Sequence, residues 1–478
     1  SATIDGIVTV AVPDKAFRGP FADGPPPAAL EVKNPSLTGL RWSDVVRLAV
    51  VFVVLALSVL RAVTVGLVRR RRAPFEAACD GLVDGFITLG PTFVKVGQLM
   101  ASSSALIPPA LASASRRCLD AVPPFPTGEV HRVIEVDLGR PVHEVFATFD
   151  DTALSAASIG QVHACTLDDG RDAVVKVQRP NIAEAMGTDL RVGCRLAGWF
   201  ERTPWGRRAG ARDIIADLHA VTFQELNPAL EALRQDEFRE RLWVFGDNTM
   251  VTVPKIYWDH CGTRTICMER VHGIPMDRFE EIADRGMDGQ LILRRGAKVW
   301  AESVMVHGPF HGDMHAGNMW ALDDGRGCYL DFGIMGELTH EWKEVLKDLF
   351  YTCMFDRNFV RLAAVFRSIG AVPPDAGTDE ELGAMLSMLI GNLLDDGFGN
   401  IDIAALVTQS MDIMKNFHAT MPRELVLIAK QLLYVDRYTK TLAPDYSLTS
   451  DPFIVKNIFP AEARAKATEM GIDLDALN

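Results

Sequence analysis

The sequence predicts an α+β fold, in which a helical N-terminal region leads into a small antiparallel sheet and then a large, mostly helical lobe. Three observations predict it. Short apolar runs between Val142 and Val177 are punctuated by Asp168-Asp169-Gly170, a hairpin signal, and strand-like runs recur at Met250–Tyr257 and Arg264–Val271. From Gln290 onward the apolar spacing is helical, with faces such as Leu346, Leu349, Phe350 and Met354. That helical half is interrupted once, by a polar, turn-rich stretch at 311–333 with its own hairpin signal, Asp323-Asp324-Gly325. The chain shows no internal repeat and no long low-complexity tract. At 478 residues it is too long for one typical core, so two or three domains are expected.

Residues 1–40, with Pro25-Pro26-Pro27 and several glycines, offer no helical period and read as a poorly ordered extension. Val45 to Val68 is almost wholly apolar, broken by Arg47, Arg61 and Thr64, and ends in Arg69-Arg70-Arg71-Arg72. Its uninterrupted part, Leu48–Leu60, would span roughly 20 Å as a helix, against roughly 30 Å of hydrocarbon. Counting through Arg61 gives about 36 Å, at a cost below about 3 kcal/mol for an off-centre charge. A membrane helix and a helix buried on the main domain both fit. The basic run would suit an anionic cytoplasmic leaflet, so 45–72 is a candidate membrane contact. Residues 75–120 are helix-rich and end at Pro123-Pro124 and Pro126. Helical spacing returns at 181–200 and 210–240. The expected organisation is therefore an extension at 1–40, a helical region at 41–140, a sheet-bearing lobe at 141–270 and a helical lobe at 271–478.

A net charge of −13 argues against a nucleic-acid binder. The eight cysteines, at 79, 118, 165, 194, 261, 267, 328 and 353, form no CxxC pair, so neither a zinc site nor a redox motif is indicated, and free thiols in a reducing cytoplasm are expected. The first residues are polar and Pro/Gly-interrupted and carry no secretory-signal pattern.

The chemistry concentrates in His311-Gly312-Asp313-Met314-His315-Ala316-Gly317-Asn318, followed by Asp331-Phe332-Gly333. An Asp, an Asn five residues on and a second Asp before Phe-Gly is how kinase-fold enzymes build a phosphoryl-transfer site. Asp313 can orient or deprotonate a nucleophile, and Asn318 and Asp331 can hold a Mg²⁺ that bridges nucleotide phosphates. A polar turn between two strands uses the same residue types, but the two blocks agree in order and separation. The nucleotide half has candidates upstream. Small residues in Ser155-Ala156-Ala157-Ser158-Ile159-Gly160-Gln161 would let backbone N–H groups approach ATP phosphates, with Ala157, Ser158, Gly160 and Gln161 as the contacts. Lys176, the one charge in the apolar strand Ala173–Gln178, would meet the α/β-phosphates. Glu225 and Glu231 sit on what reads as one helix, about 120° apart, with Pro228 disturbing the turn between them. Either can pair with Lys176, leaving the other for a metal or a second lysine. Met268-Glu269-Arg270 occupies the expected interlobe linker, where an adenine edge would be read.

Gly90-Pro91-Thr92-Phe93-Val94-Lys95-Val96-Gly97-Gln98-Leu99 precedes the sheet, and ordinary protein kinases have nothing like it. With Val122-Pro123-Pro124-Phe125-Pro126, the alanine-rich loop and the HGDMHAGN block, the chain resembles the UbiB/ADCK/AarF family of atypical kinase-like proteins over roughly 75–340. A weaker echo is Met421-Pro422-Arg423-Glu424-Leu425. The resemblance implies an atypical protein-kinase-like fold with a small antiparallel-sheet N-lobe, a large helical C-lobe and a KxGQ segment (Lys95, Gly97, Gln98) folded over the site. It also implies ATP binding, slow ATPase behaviour, and links to isoprenoid-quinone or other lipid metabolism and to membranes. In charge terms, Lys95 would neutralise a site rich in Asp and Glu. Three departures stand out. Asn227 replaces the acidic residue expected two after the motif glutamate. Gly312 replaces an alanine. Met314 and Ala316 replace prolines flanking the second histidine.

Two readings from different classes follow. One is a Mg²⁺-dependent ATPase or small-molecule/lipid kinase at the inner face of the cell membrane, with a lipid or isoprenoid ligand. The other is a nucleotide-gated scaffold for a lipid-enzyme protein partner, without phosphotransfer.

Overall fold

The computed structural model describes residues 17–458 apart from 33, 38, 40, 70–72, 103–107, 119–123, 203–210, 245–247, 353–355, 374, 389–422 and 444–451, and beyond 458 only 465 and 468. The chain divides into two compact units, Ser1–Leu233 with Ile256–Arg270, and Arg234–Lys255 with Val271–Asn478. One division between the units falls between Arg270 and Val271. Residues 234–255, expected in the sheet lobe, belong to the second unit.

The first unit is built on a four-stranded antiparallel sheet of β1 (Thr148–Ala156), β2 (Gly160–Thr166), β3 (Asp172–Gln178) and β4 (Thr265–Glu269), in that order. The Asp168-Asp169-Gly170 hairpin forms as read, with Gly170 at φ +85° and Leu167 N–H bonded to the Arg171 carbonyl. Alternation along β3 buries Ala173, Val175 and Val177 on one face and leaves Val174, Lys176 and Gln178 half-buried on the other. The buried face packs with Val130, Val133 and Ile134 of α4 (Thr127–Leu138).

Helices α1 (Trp42–Arg69), α2 (Pro74–Leu89) and α3 (Pro91–Ser102) precede α4. A Cβ at Gly81 would lie 2.7 Å from the Val59 Cα, and one at Gly85 2.7 Å from Leu55 Cδ2, so these two glycines are what let α1 and α2 touch. The start of α1 is pinned by charge. Asp44 pairs with Arg191 at 2.9 Å, both side chains almost fully buried, and Arg47 pairs with Asp189 at 2.6 Å, on α5 (Ile182–Phe200). Beyond that anchor, Phe52, Val53, Leu57, Leu60 and Leu67 are exposed.

Two expectations are corrected here. The N-terminal extension is not featureless: Phe17 and Phe21 are buried in the sheet core, and Gly19 N–H bonds the Asp259 carbonyl at 2.8 Å. Residues 1–16 lie outside the described residues. Nor do Glu225 and Glu231 share a helix. Pro228 ends the continuity, so Glu225 closes α6 (Ala211–Glu225) and Glu231 sits in the first turn of α7 (Pro228–Val244).

In the second unit, β5 (Gly273–Pro275), β7 (Met319–Leu322), β8 (Gly327–Tyr329) and the two-residue strand Val251–Thr252 form a mixed sheet. A separate pair joins β6 (Phe310–His311) to β9 (Met335–Gly336). Asp323-Asp324-Gly325 is the β7–β8 hairpin, with Gly325 at φ +84°. Helices α8 (Gly289–Glu302), α9 (His340–Tyr351), α10 (Phe359–Ser368) and α11 (Arg423–Leu442) supply the helical bulk. Trp300, Phe310, Tyr329, Phe332, Val435 and Tyr438 lie in one buried core under the loops that carry Asp313 and Asp331.

Candidate functional site

In the first unit, Lys176 takes Glu231. The Nζ–Oε1 distance is 2.6 Å and both side chains are largely buried. The strand fixes one end of this pair and the first turn of α7 the other. Lys95, on α3, pairs with Glu225. The open choice between the two glutamates is thus settled by geometry: each lysine has its own. Ile159, Gly160, Gln178, Pro228, Arg264 and Ile266 line a small cavity with Lys176, Glu225 and Glu231, and its free space is about 10 Å³, room for about one water.

Each residue of the KxGQ segment has a physical reason. A Cβ at Gly97 would come within 2.3 Å of the Cys118 Sγ, so α3 can lie against Cys118 only with glycine there. Gln98 Nε2 donates to the Cys118 carbonyl at 3.1 Å. Gln98 thus fastens the segment. Gln161 is a fastener of the same kind. Buried, it accepts from Phe125 N–H at 2.8 Å and donates to the Phe125 carbonyl at 3.3 Å, tying the Pro-Phe-Pro segment to β2. Ser158 is buried, and Ala157 N–H closes the turn onto the Gly160 carbonyl at 2.8 Å. A Cβ at Gly160 would sit 2.6 Å from the Val177 carbonyl oxygen. Glu269 ends β4, opposite Ala173, one residue before the last residue of the unit.

Asn227 is a helix cap. Its Oδ1 accepts the Leu230 N–H at 3.0 Å and its Nδ2 donates to the Ala29 carbonyl at 2.9 Å. An aspartate could cap equally but has no donor for that carbonyl, so the amide here ties the N-terminal segment to α7.

In the second unit, His311 is the junction of the two acidic loops. Fully buried, its Nε2 lies 3.0 Å from the Leu330 carbonyl and 2.9 Å from that of Asp331, while Asp313 N–H points to its Nδ1 at 3.2 Å. This network assigns the neutral Nε2–H tautomer, and burial lowers the imidazole pKa in the same sense. Asn318 adds a second tie. Its Nδ2 donates to the Asp313 carbonyl at 3.0 Å, and its own carbonyl accepts Leu330 N–H at 2.9 Å. Asp331 is exposed and held at φ +60°, a left-handed conformation that costs about 1–3 kcal/mol for a residue other than glycine. Gly333 N–H bonds its Oδ1 at 3.2 Å.

Sequence reasoning missed the residues that hold Asp313 from α11. Lys430 Nζ donates to Asp313 Oδ1 at 2.8 Å. Gln431, fully buried, accepts Met314 N–H at 2.7 Å and donates to the Gly312 carbonyl at 2.7 Å, and Tyr438 O–H donates to the Met314 carbonyl at 3.1 Å. Burial works against ionisation of Asp313, but Lys430, 2.8 Å away, and His315 outweigh it and hold the carboxyl below its usual range. The Met314 departure finds its reason here, since a proline would have no N–H for Gln431. Only the 3.6-residue spacing of Leu427, Gln431, Val435 and Tyr438 in the sequence could have pointed to this face, and nothing in that spacing names its target.

Among the described residues no group of three or more His, Cys, Asp or Glu forms a metal site. One exposed carboxylate and one oriented amide suit a Mg²⁺ that takes its other ligands from phosphates and water. Seven cysteines are free thiols; Cys353 lies outside the described residues, as do Val122-Pro123 and Met421-Pro422.

Comparison with known proteins accounts for both units. The model of the ABC1 atypical kinase-like domain matches residues 117–365, and that of the UbiB helical domain residues 386–447. An uncharacterized Mycobacterium tuberculosis protein is 34% identical over 386 residues, covering 80% of this chain and 78% of the relative. Proteins named probable protein kinase UbiB are 32% identical over 374 residues in Erwinia tasmaniensis (77% of this chain, 68% of the relative) and over 391 in Cronobacter sakazakii (79% and 71%). A solved Mycobacterium tuberculosis chain in complex with erythromycin is 23% identical, with a TM-score of 0.45, over 73% of this chain and 91% of that one. This chain belongs to the ABC1/UbiB family of atypical kinase-like proteins.

Proposed function

We propose that the protein binds ATP and acts as a Mg²⁺-dependent ATPase or small-molecule/lipid kinase in isoprenoid-quinone or other membrane-lipid metabolism. The observation that carries this reading is the His311 junction, which ties the loop of the half-buried Asp313 to the loop of the exposed Asp331. Asp313 would position the nucleophile, a water or a substrate hydroxyl. Asn318 and Asp331 would hold the Mg²⁺, which supplies charge neutralisation for the phosphates when bound. Lys176, oriented by Glu231, would meet the α/β-phosphates, with the backbone of 157–160 as their cover and Glu269 near the adenine edge.

The scant free space beside Lys176, Glu225 and Glu231 favours slow turnover, and it also supports a second reading, a nucleotide-gated scaffold for a lipid-enzyme complex. Steady-state ATP hydrolysis with and without lipid vesicles, alongside nucleotide-dependent melting, tests both. ADP production abolished by D313N and by D331N supports the enzyme. Melting shifts without ADP support the scaffold. Hydrolysis that survives D331N sinks the metal role, and absence of both binding and turnover sinks the whole reading.

Helix α1 supports a membrane-surface role. The most apolar 18-residue stretch within Trp42–Val68 has a mean hydropathy of 2.6 and is 6% buried. Its other flank is covered by α2, whose Asp80 and Asp84 face Arg117. A full crossing would carry these charges into hydrocarbon at about 2.5–3.5 kcal/mol each near the midplane. We therefore favour a helix lying in the interface over one that spans.

A further inference from the structure

We propose that Lys430 is a further residue of the phosphoryl-transfer site, delivered by α11, that fixes the Asp313 carboxylate and supplies the positive charge its own loop lacks. The inference rests on the kinase-like reading above. Between His311 and Asp331 the sequence holds a single Lys or Arg, Arg326, and that guanidinium is paired with Asp324 at 2.7 Å in the β7–β8 hairpin. The loop that carries Asp313 therefore brings an acid, an amide and a histidine but no cation of its own. Charge develops on the equatorial oxygens of a transferring phosphoryl group, and a fixed positive group beside them is a large part of how such sites lower the barrier.

Lys430 meets that need. Its Nζ lies 2.8 Å from Asp313 Oδ1, while His315 Nε2 stands 3.8 Å from Oδ2. A nucleophile held by the carboxylate would have the ammonium as its neighbour. The placement is built rather than incidental. One residue on, Gln431 clamps the backbone on both sides of Asp313, through the Gly312 carbonyl and the Met314 N–H, and Tyr438 holds the Met314 carbonyl two turns later. Three hydrogen bonds thus set the register of α11 on the loop, and Lys430 is the residue that register aims at Asp313. The Tyr434 ring, 5.7 Å from the ammonium, lines its other side. Through Asp313, Lys430 acts as a positioning residue; through its charge, it would act on the transferred group itself.

The test compares full-length parent, K430A, K430Q and K430R proteins for Mg·ATP turnover, for the Kd of a fluorescent ATP analogue and for Tm. K430A is expected to lose about 100-fold in kcat, the usual scale for removing one preorganised electrostatic contact, with Kd moved by less than about threefold. K430Q, which can still donate to Asp313 but carries no charge, is expected to fall nearly as far. K430R is expected to recover at least about a tenth of parental kcat. Parental kcat in K430A or K430Q overturns the inference, as does an arginine variant as inactive as alanine at unchanged Tm. If K430A does not fold, K430Q against K430R decides. A parent chain without turnover overturns the proposed function and this inference together. An active parent with an indifferent Lys430 overturns this inference alone.

Discussion

At the residue scale, the family motifs resolve into separate physical tasks. In KxGQ, Lys95 makes the ion pair, Gly97 makes room and Gln98 fastens the chain to the Cys118 carbonyl. Gly97→Ala would force a methyl into the Cys118 sulfur and should cost about 1–3 kcal/mol by overpacking. Adding Cys118→Ala should return part of that stability, read as Tm of the single and double variants. An unchanged Tm for G97A would show that the close approach is not real. The acidic residues make a different prediction. Asp331→Asn should leave folding intact and remove Mg²⁺-dependent ADP production, because the strain at φ +60° belongs to the backbone and not to the charge. Asp313, Asn318 and Asp331 were legible in the sequence because their spacing is local. Lys430 and Gln431 were not, since 117 residues separate them from the atoms they hold.

At the element scale, α1 is the part whose meaning depends most on its neighbours. As a string it is apolar enough to cross a bilayer. In the folded unit its first turn is locked to α5 by Asp44–Arg191, and glycines 81 and 85 seat α2 against it. Removing one partner of a buried pair leaves the other charge stranded, so Arg191→Met should cost about 3–5 kcal/mol, visible as early loss of the α1 contact in hydrogen exchange. Asp44→Leu combined with Arg191→Met should restore most of it. The outer face makes a separate prediction. Leu57→Glu with Leu60→Glu should release the protein from anionic vesicles in a sedimentation assay while its Tm holds, since both side chains are exposed, at 60% and 61%. Retained vesicle binding would rule out α1 as the contact. The Glu225/Glu231 segment teaches the same lesson at smaller scale. Pro228 announced a disturbance, but that the break would hand each lysine its own carboxylate depended on where β3 and α3 lie.

At the scale of the whole molecule, stability should follow its buried histidines. His219, His260, His307 and His311 all have pKa values lowered by burial. Below the unfolded value of about 6.5 the unfolded chain takes up protons that the folded chain refuses. Their stabilising contribution is thus complete above about pH 6.5 and is lost as the pH falls. Each removes up to about 1.4 kcal/mol per pH unit until its own folded pKa is passed. Asp44 and Asp313, with lowered pKa values, extend the loss below the ordinary carboxylate range. A Tm flat from pH 7.5 to 5 would contradict this. The sequence by itself determined the order of sheet and helices, both hairpins and the residues of the acidic motif, because each is written in local spacing, turn chemistry or alternation. Only the tertiary structure decided which glutamate each lysine takes, that Gln98 and Gln161 fasten chain segments, that Phe17 and Phe21 close the sheet core, and that α11 reaches back to Asp313. Those outcomes depend on atoms brought together across long stretches of chain, and residue type alone does not encode which distant partner completes a hydrogen bond or an ion pair.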